Sequence, residues 1–286
     1  MAALVVLALV LMFVALRIFG DVRWNRRSAE MEEGLAVNSE PAGSGGSAVF
    51  RASELDGLPE PVQRYFRRVL SEGQGMVRRV EMRQSGTFNM GQGDSDQWKS
   101  FTARQVVRPG HPGFLWDARI SMMPLMPVRV HDAYIGGEGI LHGALFGLIT
   151  VAEMRGTPEA AEGEFLRFLA EAPWYPTALL PSQGAEWSAL DERSARVSLS
   201  DGDVAGDMLV RFNENDLIES IHVDARGREV DGEVVPTPWE GEWRDYERHA
   251  GMLVPTAGEV AWILPERRKP YWRGTVTDLS YGFGKQ

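Results

Sequence analysis

The sequence predicts an α+β fold that is mainly antiparallel β: a curved sheet or incomplete β-barrel covered by helices, with a transmembrane helix at the N-terminus. Three observations support this prediction. Apolar and polar residues alternate with a period of two through much of the chain, which is typical of half-buried antiparallel strands. An amphipathic segment, Pro158–Ala172, lies between two strand-rich halves. An uninterrupted apolar run, Ala2–Leu16, precedes both halves.

Composition and charge exclude several classes of function. The 286-residue chain has a net charge of −10, so it lacks the positive footprint that nucleic-acid binding needs, and we predict no nucleic-acid partner. It contains no cysteine, which removes disulfides, thiolate catalysis and cysteine-based metal sites. The five histidines do not form the H-x-x-x-H or H-E-x-x-H spacing of local metal sites. We therefore predict no metal ion and no cofactor.

The apolar run Ala2–Leu16 is slightly shorter than the roughly 20 residues of a spanning helix, but Arg17 can extend its side chain to the membrane interface. No Lys or Arg precedes the run and no clear A-x-A site follows it, which disfavours a cleaved signal peptide. We therefore predict an uncleaved single-pass anchor over residues 1–20, in the cytoplasmic membrane. A signal peptide stays open as the alternative.

The side of the membrane on which the main domain lies stays open. Arg17, Arg23, Arg26 and Arg27 all follow the apolar run. By the positive-inside rule these charges favour a cytoplasmic domain.

Residues 21–52 separate the anchor from the main domain. Asp21–Leu35 is predicted to form a short polar helix, and the sequence AVNSEPAGSGGS that follows has the composition of a flexible linker. A single β-rich domain is predicted for residues 53–286.

The domain begins with a helix, Pro59–Leu70, whose apolar residues recur at helical spacing on one face. Period-two segments then follow on both sides of the central helix. The glycines between Ile135 and Gly143 suggest a hairpin turn and strand glycines, because no helix follows them as a phosphate-binding loop requires. The predicted strands are Val80–Phe88, Lys99–Val107, Gly113–Ile120, Val128–Ile135, Glu138–Phe146, Ala185–Leu190, Ala195–Leu199, Ala205–Phe212, Leu217–Arg226, Trp239–Tyr246, Glu259–Leu264 and Tyr271–Phe283.

The central helix has clear start and stop signals. Thr157 is a suitable N-cap and Pro158 suits the first helical position. Pro173 cannot continue the helix, so the chain is expected to turn there. Glu171, in the last turn, opposes the helix dipole and is therefore expected to have a partner such as an arginine. Glu153 and Arg155 are candidates for the same network.

The many aromatic residues suggest a ligand cavity between sheet and helices. A curved sheet lined with aromatic and methionine side chains is a common way to build an apolar binding site. The candidate ligand-binding residues are Trp116, Tyr134, Glu171, Trp174, Tyr175 and Trp262.

No residue is predicted to be catalytic. A hydrolase-like enzyme is the alternative, and it requires Glu171, Asp132 or His222 to converge in one cleft. His222 and Asp224 share a strand face, whereas His131 and Asp132 point to opposite faces. A partner-binding scaffold is the third possibility.

Several strings resemble a known family: RFLAEAPWYPTALLP, AEWSALDERSAR, PWEGEWRDYERHAGMLVPTAGEVAWIL and YWRGTVTDLSY. They look like an uncharacterised bacterial family of membrane-anchored domains of unknown function, over residues 58–283, and that family lends no catalytic residues. More remotely, the chain is similar to the unclosed β-barrels of LolA- and LppX-type lipid-handling proteins. Those proteins work outside the cytoplasmic membrane, in conflict with the orientation that the arginines favour. The anchor, the alternating strands, the aromatic and methionine content and the lack of catalytic motifs predict a membrane-tethered protein that binds an apolar or amphipathic ligand such as a lipid.

Overall fold

One antiparallel sheet organises the structure. A computed structural model of the chain describes residues 1–37, 48–91, 95–123, 126–230 and 232–284. Within these ranges, 13 strands form a single sheet in which every neighbouring pair is antiparallel. The strands are β1 Val77–Asn89, β2 Trp98–Val107, β3 Phe114–Met123, β4 Met126–Ile135, β5 Glu138–Leu145, β6 Ile149–Arg155, β7 Glu186–Asp191, β8 Ser194–Asp201, β9 Val204–Phe212, β10 Ile218–Val230, β11 Glu233–His249, β12 Met252–Ile263 and β13 Arg268–Phe283.

The strand order shows how the two halves of the chain join. The order is β6-β5-β4-β3-β2-β1-β13-β12-β11-β10-β9-β8-β7. The first half is therefore one meander and the second half another, and β1 pairs with β13 at the seam. Helices α1 (Ala2–Val37), α2 (Glu60–Val69) and α3 (Pro158–Ala170) complete the fold. The predicted class, an open curved antiparallel sheet with a few helices, is confirmed.

Strand β6 is missing from the predicted set. It is an edge strand, and all but one of its residues are exposed. The opposite edge strand, β7, is equally exposed and was predicted, so exposure alone does not account for the omission.

Side chains alternate across the sheet as the pattern in β3 predicts. Phe114, Trp116 and Ala118 lie in the main core, and we call that side of the sheet the inner face. Leu115 belongs to a second apolar cluster on the opposite side, which we call the outer face. Helices α2 and α3 cover the inner face, because their buried residues belong to the same core.

Helix α3 connects the two edges of the sheet, from β6 to β7, across the inner face. The Thr157 side chain accepts a hydrogen bond from the Ala160 amide at 3.1 Å, and Pro158 follows at the start of the helix, so the predicted N-cap is confirmed. After Ala170 the chain turns through a short 3₁₀ segment, Ala172–Trp174.

Close backbone contact fixes the position of α3. A Cβ atom on Gly139 of β5 would lie 2.1 Å from the Ala160 carbonyl oxygen. Only glycine permits this approach of strand to helix. Gly136 and Gly137 form the turn between β4 and β5, with positive φ angles of 60° and 82°. The interpretation of this segment as a hairpin with strand glycines is therefore confirmed.

Helix α1 is one continuous helix, and its second half packs on the outer face of β3, β4 and β5. Trp24 and Leu35 are 1% and 3% exposed. Leu35 packs with Leu115, Ala133 and Ile140. The predicted polar helix is thus the docked half of α1, and the predicted linker AVNSEPAGSGGS lies largely outside the described residues. The first half is exposed, and it is long and apolar enough to span a membrane.

A polar cluster joins α1 to the sheet. The Trp24 ring stacks on His131 with a centroid distance of 3.9 Å, and its Nε1 donates to Asp117 at 2.9 Å. The Ser28 hydroxyl donates to the other Asp117 oxygen at 2.7 Å. Burial opposes ionisation of Asp117, but hydrogen bonds from His131, Ser28 and Trp24 outweigh it and lower its pKa to about 2. Burial lowers the pKa of His131 below its usual value.

Candidate functional site

A cavity of about 90 Å³ lies between the last turn of α3 and the inner face of the sheet. Its wall is mostly aromatic, and five of the described residues that line it are tryptophans. Charged side chains from β4, α3 and β10 complete the lining. The lining residues are Phe88, Trp116, Asp132, Arg167, Ala170, Glu171, Trp174, Arg226, Trp239, Trp243, Val260, Tyr271 and Trp272.

Arg167 holds the polar side of the cavity together. Its Nε donates to Glu171 at 2.8 Å, and its Nη1 donates to Asp132. The guanidinium also lies over the rings of Phe114 and Trp116, at 4.9 and 5.1 Å from their centroids. Burial alone would lower the pKa of Arg167, but the carboxylates of Glu171 and Asp132 raise it, so the side chain stays charged.

Glu164 lies one turn earlier on α3 and is almost fully buried. Burial, followed by the negative charge of Asp132, raises the pKa of Glu164 well above its usual value. Burial therefore favours the protonated form of Glu164. Among the described residues, Glu164 Oε2 and Asp132 Oδ1 have no hydrogen-bond partner, and a protonated Glu164 would be a donor for Asp132.

A chain of hydrogen bonds links Glu171 to the tryptophan wall. Gln105 Nε2 donates to Glu171, and Gln84 Nε2 donates to Gln105 at 3.1 Å. Trp116 Nε1 then donates to Gln84 at 2.7 Å. These contacts hold the Glu171 carboxylate and the Trp116 ring in fixed positions. Neither glutamine was predicted, although each lies two residues along its strand from a core residue, Met82 for Gln84 and Val107 for Gln105.

Two indole N–H groups at the cavity have no partner among the described residues. They are the Nε1 atoms of Trp174 and Trp243, both buried. The two rings meet edge to face with centroids 4.8 Å apart, and both line the cavity. A buried donor without an acceptor is costly. A ligand with a hydrogen-bond acceptor would therefore be stabilised at this position.

Arg226 lies at the more exposed side of the cavity. Its guanidinium stacks on Trp239 at 5.2 Å, and it donates to the Tyr271 hydroxyl at 3.2 Å. Trp239 Nε1 donates to the same hydroxyl at 2.8 Å. Arg226, Phe88 and Tyr271 are half-buried, so this is the side from which a ligand can enter.

The structure brings three of the six predicted ligand-binding residues to the cavity: Trp116, Glu171 and Trp174. The other three lie nearby. Tyr134 is buried against α3 and donates to Asp201 at 2.9 Å. Tyr175 donates to the Phe168 carbonyl at 2.6 Å, underneath the end of α3. Trp262 stacks on Tyr271, at the exposed side.

The residues proposed for hydrolysis do not all converge. Asp132 and Glu171 meet at Arg167, as described above. His222 lies on the outer face, because its neighbours Ile221 and Val223 belong to the inner core. Its ring is 3.5 Å from Asp224, so these two share a strand face as the sequence predicts, away from the cavity.

Glu171 has the arginine partner that the helix dipole suggests, namely Arg167. The prediction that Glu153 and Arg155 join this network is wrong. Arg155 Nε instead donates to Glu138 Oε1 at 2.7 Å, because Arg155 lies on edge strand β6 and Glu138 lies on the neighbouring strand β5. Glu153 is exposed on the same edge strand.

The fold and the cavity together define an open, curved antiparallel sheet whose inner face is covered by helices and contains an aromatic site. The chain belongs to the DUF6920 family, a family of unknown function, whose model matches residues 56–281. This finding confirms the resemblance seen in the sequence. A comparison with curated proteins finds no match.

A comparison with solved structures gives likenesses with TM-scores below 0.5. A domain described as an outer membrane lipoprotein-sorting protein from Vibrio parahaemolyticus has 11% identity and a TM-score of 0.42, covering 79% of this chain and 93% of its own. A LolA superfamily protein from Nitrosomonas europaea has 10% identity and a TM-score of 0.39, covering 70% and 84%. A β-barrel-like protein of the DUF1849 family from Brucella abortus has 10% identity and a TM-score of 0.22, covering 72% and 98%.

Proposed function

We propose that this protein is a membrane-tethered binding protein that holds an apolar or amphipathic molecule, such as a lipid, in the aromatic cavity. The observation that carries the proposal is the cavity wall itself. Tryptophans dominate it, and two of their buried N–H groups, on Trp174 and Trp243, have no acceptor among the described residues. Such a wall suits an apolar body that carries a hydrogen-bond acceptor.

The charges at the cavity favour the same class of ligand. Arg167 pairs with both Asp132 and Glu171, and burial raises the pKa of Glu164. Both carboxylates therefore already share an arginine partner. Arg226 and the two indole N–H groups are donors, so the polar end of the ligand is expected to be an acceptor such as an ester, a carboxylate or a phosphate.

The cavity volume limits how much of a ligand can enter without movement. About 90 Å³ is well below the roughly 300–1,000 Å³ of typical ligand pockets. In this conformation the cavity therefore accepts one end of an acyl chain or one ring. A longer molecule requires the half-buried side chains of Phe88, Val260 and Tyr271 to move apart.

The tether part of the proposal rests on α1. Its first half is apolar and exposed, and its second half is buried against the outer face of the sheet. A continuous helix that is part of both the membrane segment and the domain would hold the domain at a fixed distance from the bilayer.

The test uses the full chain. The protein is purified from membranes, exchanged into a detergent micelle, and examined by native mass spectrometry with organic extraction. Ala170 lines the cavity in the last turn of α3, where leucine is also a good helix former. Ala170→Leu fills the cavity, and Ala189→Leu makes the same change at an exposed position on β7.

We expect a lipid-sized adduct of defined stoichiometry on the wild-type chain and on Ala189→Leu, and its loss in Ala170→Leu. An adduct that persists in Ala170→Leu would show that the molecule binds elsewhere, for example around α1. A wild-type chain without any adduct, including after incubation with extracted lipid, would contradict the proposal and favour a partner-binding module.

A further inference from the structure

The turn between β5 and β6 packs against α1 where the apolar half of that helix ends. The Phe146 ring meets Phe13 edge to face at 5.9 Å, and the Arg17 guanidinium lies over the same ring at 5.3 Å. A Cβ atom on Gly20 would lie 2.2 Å from the Phe146 carbonyl oxygen. Phe146 has a φ of 56°, a conformation that bulky residues rarely adopt. The turn is therefore held firmly against the helix.

This contact sets the depth of the turn relative to a bilayer. At about 1.5 Å per residue, Phe13 lies roughly 6 Å along the helix axis from Arg17, on the apolar side. When Ala2–Leu16 spans the acyl region, Arg17 lies at the headgroups. Phe146, which contacts both Phe13 and Arg17, then lies at the boundary between acyl chains and headgroups.

Exposed apolar side chains continue from this turn along the same end of the sheet. Ile149, at the start of β6, is 60% exposed, and Met123, at the end of β3, is 57% exposed. The Phe146 amide donates to the Pro127 carbonyl at 3.2 Å, which joins the β5–β6 turn to the β3–β4 hairpin. Met90, 40% exposed, follows β1 at the next hairpin.

The strand registers align these three hairpins. Asn89 pairs with Trp98 across β1 and β2, and Met123 pairs with Met126 across β3 and β4. Alternate strands in a sheet are separated by about 10 Å, so neighbouring hairpins of this row are separated by that distance. The opposite end of the sheet lies near the far end of α1, because Gly113 contacts Leu35. The row therefore faces the direction in which the apolar half of α1 extends.

We propose that the hairpin row formed by Met90, Met123, Phe146 and Ile149 inserts its apolar side chains into the interface of the bilayer that α1 spans, as a second membrane contact. This inference rests on the proposed tether and is independent of the cavity. The bilayer is the occupant because the row is continuous with the apolar half of α1 through Phe13. Apolar side chains at headgroup depth are stabilised by burial in the interface.

The absence of cysteine from the sequence makes the test direct, since single labels can be introduced. Ile149→Cys and Met123→Cys report on the row, and Val6→Cys reports on the anchor. Leu190→Cys, on the opposite edge strand β7, is the matched control, because Leu190 is 58% exposed and Ile149 is 60% exposed. Each full-length variant carries an environment-sensitive fluorophore and is reconstituted in phosphatidylethanolamine–phosphatidylglycerol vesicles with or without acyl-brominated lipid.

We expect brominated lipid to quench the labels at Ile149 and Met123 several-fold more strongly than the label at Leu190, and to quench the label at Val6 most strongly. Quenching at Val6 together with Ile149 and Met123 values equal to that of Leu190 would overturn the second contact and leave the tether standing. Absence of quenching at Val6 would overturn the tether and the second contact together.

Discussion

Replacing Arg167 with methionine tests whether the polar side of the cavity is held by one charge. Methionine keeps much of the volume and the apolar stem but removes the guanidinium. Asp132 and Glu171, whose side chains are 18% and 11% exposed, then lose the cation that both contact. Glu164 lies beside them and is buried, and the charges of Arg226 and Arg167 act on it.

The cost follows from the burial of these carboxylates. Removing one partner of a buried ion pair destabilises a protein by about 3–5 kcal/mol, because the remaining charge is neither solvated nor paired. The two cation–π contacts with Phe114 and Trp116 are lost as well. We therefore expect Arg167→Met to lower the free energy of unfolding by about 3–5 kcal/mol.

The assay is urea unfolding of the full chain in detergent micelles, followed by tryptophan fluorescence. The triple variant Arg167→Met, Asp132→Asn, Glu171→Gln removes the uncompensated charges and is expected to recover most of the loss. Arg196→Met is the control, because Arg196 also contacts two carboxylates but is on the exposed surface. If Arg167→Met cost no more than Arg196→Met, or if the triple variant recovered nothing, the charge-compensation argument would be wrong.

Three further predictions concern the packing of the helices on the sheet. Trp24→Ala removes a buried ring and a donor to Asp117. It should lower the free energy of unfolding by about 3–5 kcal/mol and accelerate proteolysis within α1. Unchanged proteolysis would show that α1 is not docked on the sheet. Because the pKa of His131 is lowered in the folded state, the unfolded chain takes up its proton first as the pH falls. The contribution of His131 to stability is complete above its ordinary pKa of 6.5 and declines below it, by at most about 1.4 kcal/mol per pH unit. Urea unfolding between pH 7.5 and 5.5 should show a steeper slope in the wild type than in His131→Gln, which keeps the slope from His142, whose pKa burial also lowers. Gly139→Ala places a methyl group against the Ala160 carbonyl, so its melting temperature should fall far more than that of Gly163→Ala, at which a Cβ meets no atom.

Local signals in the sequence predicted most of the fold. Period-two alternation identified strands such as β3, where Phe114, Trp116 and Ala118 do share the inner face. Thr157 and Pro158 marked the start of α3 because capping depends on residues a few positions apart. Strand β6 was not predicted, although β7, an edge strand with as few buried residues, was.

The cavity was predicted only in part, because its residues come from distant parts of the chain. Glu171 was expected to have an arginine partner, and Arg167, one helical turn away, provides it. The contact of Arg167 with Asp132 joins α3 to β4, and no local pattern encodes that pairing. Trp243 and Arg226 reach the same cavity from the second half of the sheet.

The sequence by itself determined the apolar N-terminal segment, the acidic cysteine-free composition, the alternating strands and the capped central helix. These features depend on residue type and on short spacing. Only the tertiary structure decided that α1 packs on the outer face, that five tryptophans of the described chain surround one cavity, and that His222 faces away from it. Which strands pair, and which face a helix covers, depend on the free energy of burying whole surfaces together, and that energy is set by residues far apart in the chain.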